Sequence, residues 1–218
     1  MISMDYKPSS RLRSALYACL LAVTLAGCAT GQDPRDPYEA YNRKMYAFNN
    51  AVDRAVVKPV AEGYQKVTPQ PVQTGIRNFF DNLYDVVSLA NNILMLRPVP
   101  VMNDLMRVSV NTVFGLGGLI DVASSMGLEK NQNGFGDTLA HYGWDNSAYF
   151  VPPLYAPSTV RDTLGLGVDY FSMPSREIFT TTWTDLNSTI VNQVDERARL
   201  LSLEPAREAA LDEYAFTR

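Results

Sequence analysis

The chain has 218 residues, with 19 basic and 23 acidic side chains, a formal charge of −4 at pH 7 and 46% hydrophobic residues. An acidic chain without basic runs is a poor match for nucleic acid, and it lacks the polybasic patch that would hold it on anionic lipid by charge alone. A single histidine leaves no histidine-rich metal centre.

Lys7, Arg11 and Arg13 precede a short apolar run over residues 15–26, and small residues then lead to a cysteine in Leu25-Ala26-Gly27-Cys28. This is the layout of a secretory signal peptide, and its last four residues resemble the bacterial lipobox. Residues 1–27 are expected to be removed, leaving Cys28 as an acylated first residue. Ala29 follows it, which implies sorting to the outer membrane. Residues 28–35 are expected to form a lipidated tether. Cys19 leaves with the signal and Cys28 carries lipid, so no disulfide forms and no thiol remains as nucleophile or ligand.

Residues 36–218 read as one helical domain. Asp36, Pro37 and Glu39 suit N-cap, first-turn and capping-box positions. Tyr38, Tyr41, Met45, Phe48 and Val52 then recur at three- and four-residue spacing, which predicts an amphipathic helix ending before Pro59. Thr68-Pro69-Gln70-Pro71 is a rigid turn. A second helix is expected over 72–96, its wide apolar arc interrupted by Asn78, Asn82, Asn91 and Asn92. These asparagines either line a polar path or bond between helices. After Pro98 and Pro100 a third helix is expected over 101–114. Residues 131–136 read as loop, 137–142 as a short helix, and 148–155 as extended around two prolines. Ser158 is the expected cap of a helix over 159–171. Trp183, Leu186, Ile190, Val194, Ala198 and Leu201 mark a last long stripe, and Pro205 opens a short terminal helix. No two-residue alternation is sustained, so the predicted class is all-α.

The stretch VSVNTVFGLGGLIDVASSMG, residues 108–127, stands apart. Gly115, Gly117 and Gly118 interrupt an apolar run at a cost of about 1 kcal/mol each in a helix. Spanning a bilayer takes about 20 unbroken apolar residues, so this is an apolar hairpin, with Asp121 placed among Leu119, Ile120 and Val122. Neither a dinucleotide nor a P-loop fingerprint is met here or at Gly165 and Gly167. There is no G-x-S-x-G elbow. His141 lies near Asp137 and Asp145, and a lone histidine of this kind more often packs or caps than catalyses. No catalytic residue, cofactor or metal is assigned.

From Asp36-Pro37-Tyr38-Glu39-Ala40-Tyr41-Asn42-Arg43 onward the chain resembles the MlaA family, also called VacJ lipoproteins. The likeness continues through Met45-Tyr46-Ala47-Phe48-Asn49, Asn78-Phe79-Phe80-Asp81-Asn82, Asn111-Thr112 and the glycine stretch to Asp121. It runs on through Phe135-Gly136-Asp137, Tyr149 to Pro153, and Arg161-Asp162. One departure is Gly134, where the family often has an acidic residue. The resemblance implies a ring of amphipathic helices embedded in the inner leaflet of the outer membrane, usually beside a trimeric porin. It also implies a function: removal of stray phospholipid from the outer leaflet and transfer to a soluble periplasmic carrier, without catalysis. On that basis Gly115, Gly117, Gly118, Asp121 and Asn111 are candidates for the lipid path. Asp36, Pro37, Asn42, Arg43, Phe48, Asn49, Asn78, Phe79, Arg161 and Asp162 are motif residues. The competing expectations are a scaffolding outer-membrane lipoprotein that binds a porin or the cell wall, and a phospholipid hydrolase built on His141.

Overall fold

A break expected at Pro59 does not occur, and the reason lies five residues earlier. Helix α1, Glu39–Val52, runs into a π turn, Asp53–Val57, and continues as α2, Lys58–Val67. The Lys58 amide donates to the Asp53 carbonyl, one residue further back than in an α-helix. Proline lacks a donor and its ring clashes with the carbonyl four residues earlier. The widened turn, a recognised form of helix bulge, lets the chain pass Pro59 and keep its direction.

The computed structural model describes residues 33–178 and 182–218. The expected signal peptide, Cys28 and most of the tether lie outside the described residues, as do the side chains of Trp183 and Leu186.

Next come α3, Gln70–Leu94, and α4, Pro98–Val113, which form an antiparallel pair. The glycine loop leads to the one-turn α5, Val122–Ser125, and then to α6, Phe135–His141. Strands β1, Tyr149–Phe150, and β2, Ser158–Thr159, pair antiparallel, with Tyr149 opposite Thr159. The chain closes with α7, Val160–Ser172, α8, Ser175–Ile178, α9, Thr182–Leu200, a 3₁₀ turn, and two short helices, α10, Glu204–Glu208, and α11, Glu213–Thr217. The fold is all-α apart from the two-residue strands.

Two caps differ from expectation. Tyr38 holds the N-cap position of α1 without a side-chain bond. Asp36 is instead fully buried, accepting from Asn42 Nδ2 at 2.7 Å and from the Tyr214 hydroxyl. The C-terminal helix has claimed it, and Pro37 lies outside the helix. Glu39 consequently forms no capping box and pairs with Arg43 at 2.7 Å. At α7 the cap is Thr159, which accepts from the Asp162 amide; Ser158 is in β2.

Among the described residues, buried polar and charged side chains outnumber buried apolar ones. Helix α4 buries Asp104, Arg107 and Asn111, which share one face at helical spacing. They meet a matching polar stripe on α3. Arg107 Nε lies 3.0 Å from Asp85, and Asp104 accepts from Ser88 at 2.8 Å and Asn92 at 2.7 Å. Asn82 donates to Thr112 at 3.1 Å. The apolar face of α4, with Val99, Met102, Leu105, Met106 and Val113, is turned outward. Helix amphipathicity normally points the apolar stripe at the core; here the polar stripe is inside. No helix among the described residues is long and apolar enough to cross a membrane.

Candidate functional site

Asn42 and Asn49 sit seven residues apart on α1 and therefore share a face. Each clips the extended segment that follows β1. Asn42 donates to the Tyr149 carbonyl at 3.0 Å and accepts from the Val151 amide at 2.9 Å. Asn49 donates to the Pro152 and Tyr155 carbonyls at 2.8 and 3.0 Å and accepts from Leu154 at 2.8 Å. Leu154 has φ of 57°, an uncommon conformation for a non-glycine residue that these bonds hold. Two side-chain amides thus supply backbone partners to a proline-rich strand that has little sheet to pair with.

The segment so fixed is one wall of a cavity of about 1180 Å³, larger than the roughly 300–1,000 Å³ of ordinary small-molecule sites. Helices α1, α3, α7, α9, α10 and α11 supply the rest, and the lining is mostly apolar, with Val57, Phe80, Leu166, Met173 and Leu203 among its residues. One end is charged. Arg197 makes a two-pronged pair with Asp53 at 2.7 and 2.8 Å and reaches Glu204 at 2.9 Å. Lys58 and Arg207 also converge on Glu204, at 3.2 and 2.6 Å. Burial alone would raise the Glu204 carboxyl, but the hydrogen bonds from Lys58 and Arg197 and the nearby guanidinium charges hold it below its usual value.

Asp169, Tyr84 and Tyr155 form a second polar patch on the wall. Burial pushes the Asp169 carboxyl up, against the hydrogen bonds from the Phe135 amide and Asn91. Burial likewise raises the Tyr84 phenol to about 12, helped by the negative charge of Asp169. Gly134 adjoins this patch. A side chain there would come within 2.6 Å of Asp169 Oδ2 and 3.0 Å of the Tyr84 hydroxyl.

The residues expected for a lipid path are set apart from this cavity. Gly115, Gly117, Gly118, Asp121 and Asn111 do not line this cavity. The glycine loop rests on the face of α3 that carries Gly75, Asn78 and Asn82, with Asn78 Nδ2 donating to the Leu119 carbonyl at 3.1 Å. Phe80 and Tyr84 project from the other face of α3 into the cavity. Asp121 is engaged internally. It caps α5, accepting from the Ser124 amide at 3.0 Å and hydroxyl at 2.6 Å, from Asn111 Nδ2 at 3.2 Å, and faces Arg107 at 3.5 Å. Desolvation opposes its charge, yet the Ser124 and Asn111 hydrogen bonds and Arg107 bring its pKa down to about 2. Asn111 is buried and also accepts from the Ala123 amide at 2.8 Å. What the loop presents outward is apolar: Leu116, Leu119 and Ile120.

The remaining motif residues make local contacts. Arg43 pairs with Asp212 at 2.9 Å and lies 4.5 Å over the Tyr214 ring. Phe79 and Phe80 meet edge to face, and Phe48 is half exposed. Arg161 donates to Asp162 at 2.7 Å and to the Trp144 and Asp145 carbonyls, closing the loop before β1. His141 adjoins a small hollow of about 240 Å³ with Arg97, Asp137 and Asp145. Among the described residues, no serine, threonine or cysteine lines it.

Residues 34–218 match the family described as MlaA lipoprotein. The chain belongs to the MlaA lipoprotein family. It is 36% identical to the intermembrane phospholipid transport system lipoprotein MlaA of Haemophilus influenzae, over 95% of this chain and 87% of that one. It is 33% identical to the protein of the same description from Escherichia coli K12, over 95% and 85%. A solved structure described as the structural basis for maintenance of bacterial outer membrane lipid asymmetry superimposes with a TM-score of 0.71 at 34% identity, covering 83% of this chain and 92% of that one.

Proposed function

We propose that this protein is an outer-membrane lipoprotein, anchored through acylated Cys28, that takes mislocalised phospholipid from the outer leaflet and hands it to a soluble periplasmic carrier. The observation that carries this reading is the pairing of an inverted exterior with an apolar cavity. The outward apolar faces of α4 and the glycine loop, with Ile93 and Leu94 at the end of α3, suit a body bedded in one leaflet, beside a trimeric porin. Exposed apolar area on this scale marks a membrane or protein contact. The cavity gives acyl chains an apolar wall, and its charged end suits a head group. The glycine loop, with Leu116, Leu119 and Ile120 outward, serves as part of the bedding surface beside the path. No step needs covalent catalysis, a metal or a cofactor.

Deleting the gene should raise outer-leaflet phospholipid and detergent sensitivity. Filling the cavity with Leu166→Trp should reproduce both effects at normal protein level. An unchanged outer leaflet in the deletion strain overturns the reading. Normal function with the cavity filled favours a scaffold, for which a cavity of this size has no use.

A further inference from the structure

Among the described residues, the charges that line the cavity wall do not balance. Its ionisable side chains include the carboxylates of Asp53, Asp169, Glu196 and Glu204 against the guanidinium groups of Arg197 and Arg207. Arg197 is engaged by Asp53 and Glu204, and Arg207 by Glu204. Glu196 pairs with Arg199. Asp169 differs: among the described residues no ammonium or guanidinium group pairs with it, although it is only 7% exposed.

Its geometry is nevertheless fixed. Both oxygens accept from the Phe135 amide, at 3.0 and 2.9 Å, and Oδ1 also accepts from Asn91 Nδ2 at 3.2 Å. Those bonds come from the α3 and α6 side. A carboxylate offers about four lone-pair sites, so acceptor capacity remains. The Tyr84 hydroxyl and Asp169 Oδ2 crowd the same point above Gly134, and Tyr84 and Tyr155 share the wall with Asp169. A buried charge is stable when paired, and phenol rings beside a carboxylate attract a desolvated cation by their quadrupoles. An anionic ligand would meet repulsion at this patch. A positively charged ligand group would supply the missing partner.

We propose that Asp169, flanked by Tyr84 and Tyr155, is the subsite for the ammonium group of a zwitterionic aminophospholipid, so that the cavity selects such lipids over anionic ones. The proposal rests on the transport reading above and adds a head-group preference to it.

The test uses the full-length lipidated protein, incubated in detergent with equimolar phosphatidylethanolamine and phosphatidylglycerol and recovered by affinity capture. The wild type should hold the ethanolamine lipid in about tenfold excess. Asp169→Asn should bring the ratio near one through loss of bound ethanolamine lipid. With the wild type alone, N-acetylation of the ethanolamine lipid removes the positive charge and keeps the phosphate, and it should abolish the preference; this arm does not depend on the variant folding. Equal capture of both lipids by the wild type, undiminished capture of the N-acetylated lipid, or a preference retained in Asp169→Asn overturns the subsite. Capture of neither lipid overturns the transport reading itself.

Discussion

Arg107 and Asp85 form an ion pair 3.0 Å apart with side chains 1% and 0% exposed, in the contact between α4 and α3. Removing one partner of such a pair strands a buried charge at about 3–5 kcal/mol, whereas replacing both by apolar groups of similar volume is often neutral. Arg107 also donates to Ser124 at 3.2 Å and to the Leu128 carbonyl at 2.8 Å, so it ties the glycine loop and α5 to the helix pair. Arg107→Ala is therefore expected to lose that much stability in a denaturant titration in detergent. Asp85→Leu with Arg107→Met should recover most of it. Equal losses for the single and double variants would show that the pair carries no special weight.

Asn49 makes three hydrogen bonds to the strand that forms the cavity wall. These bonds are part-buried or exposed, so each is worth only the net contribution of about 0.5–1.5 kcal/mol, and their effect is local. Asn49→Asp retains the acceptor for the Leu154 amide but replaces the donor to two carbonyls with negative charge. It should impair lipid transport as strongly as Asn49→Ala, with hydrogen exchange rising at residues 151–155 and little change in α3 and α4. Protection unchanged in that segment would separate Asn49 from the wall.

Acid should attack the loop before the helix pair. The folded pKa of Asp121, about 2, lies below its ordinary 3.8. Its contribution is complete above the ordinary value and is lost as pH falls from there through the folded one. Asp85 does not share this low-pH loss, because burial raises its pKa against the pull of Arg107. Stability measured between about pH 4 and pH 2 should fall more steeply in the wild type than in Asp121→Asn. Identical slopes would contradict the assignment.

The helices and their class were legible because proline and turn chemistry punctuate the sequence at residues 69, 71, 98 and 100. Pro59 misled because a π turn, which needs only one extra residue, leaves no compositional mark. Periodicity left the α3 asparagines open between a polar path and bonds between helices, and the structure shows bonds between helices. Asn82, Asn91 and Asn92 looked like interruptions of an apolar arc, yet with Asp85 and Ser88 they form the buried stripe. Periodicity gives the two faces of a helix without saying which faces inward. The cavity was hidden for a different reason. Asp53, Tyr84, Asp169 and Arg197 are spread over most of the chain, and Asp169 follows a Gly165-x-Gly167 pair whose only evident meaning was a failed nucleotide motif. Gly165 in fact lets α7 approach α6, since a side chain there would lie 2.3 Å from the Gly136 amide.

The three loop glycines should separate in a substitution series. A side chain at Gly115 would lie 2.2 Å from the Ile120 carbonyl and 2.4 Å from the Asn111 carbonyl; both are backbone and cannot move aside. Gly115→Ala should therefore prevent the loop from closing and lower the amount of folded protein in the membrane. Gly117 has φ of 73° with open space around it, so Gly117→Ala should cost only the left-handed conformation, about 1–2 kcal/mol. Gly118 has φ of 95°, and its added carbon would sit 2.8 Å from the Asn82 side chain. Gly118→Ala should fall between the other two, and pairing it with Asn82→Ala should recover part of the loss. Thermal unfolding of the four variants in one detergent gives the order. A Gly117→Ala loss as large as that of Gly115→Ala would mean that backbone conformation, and not the approach of residues 111 and 120, decides the loop.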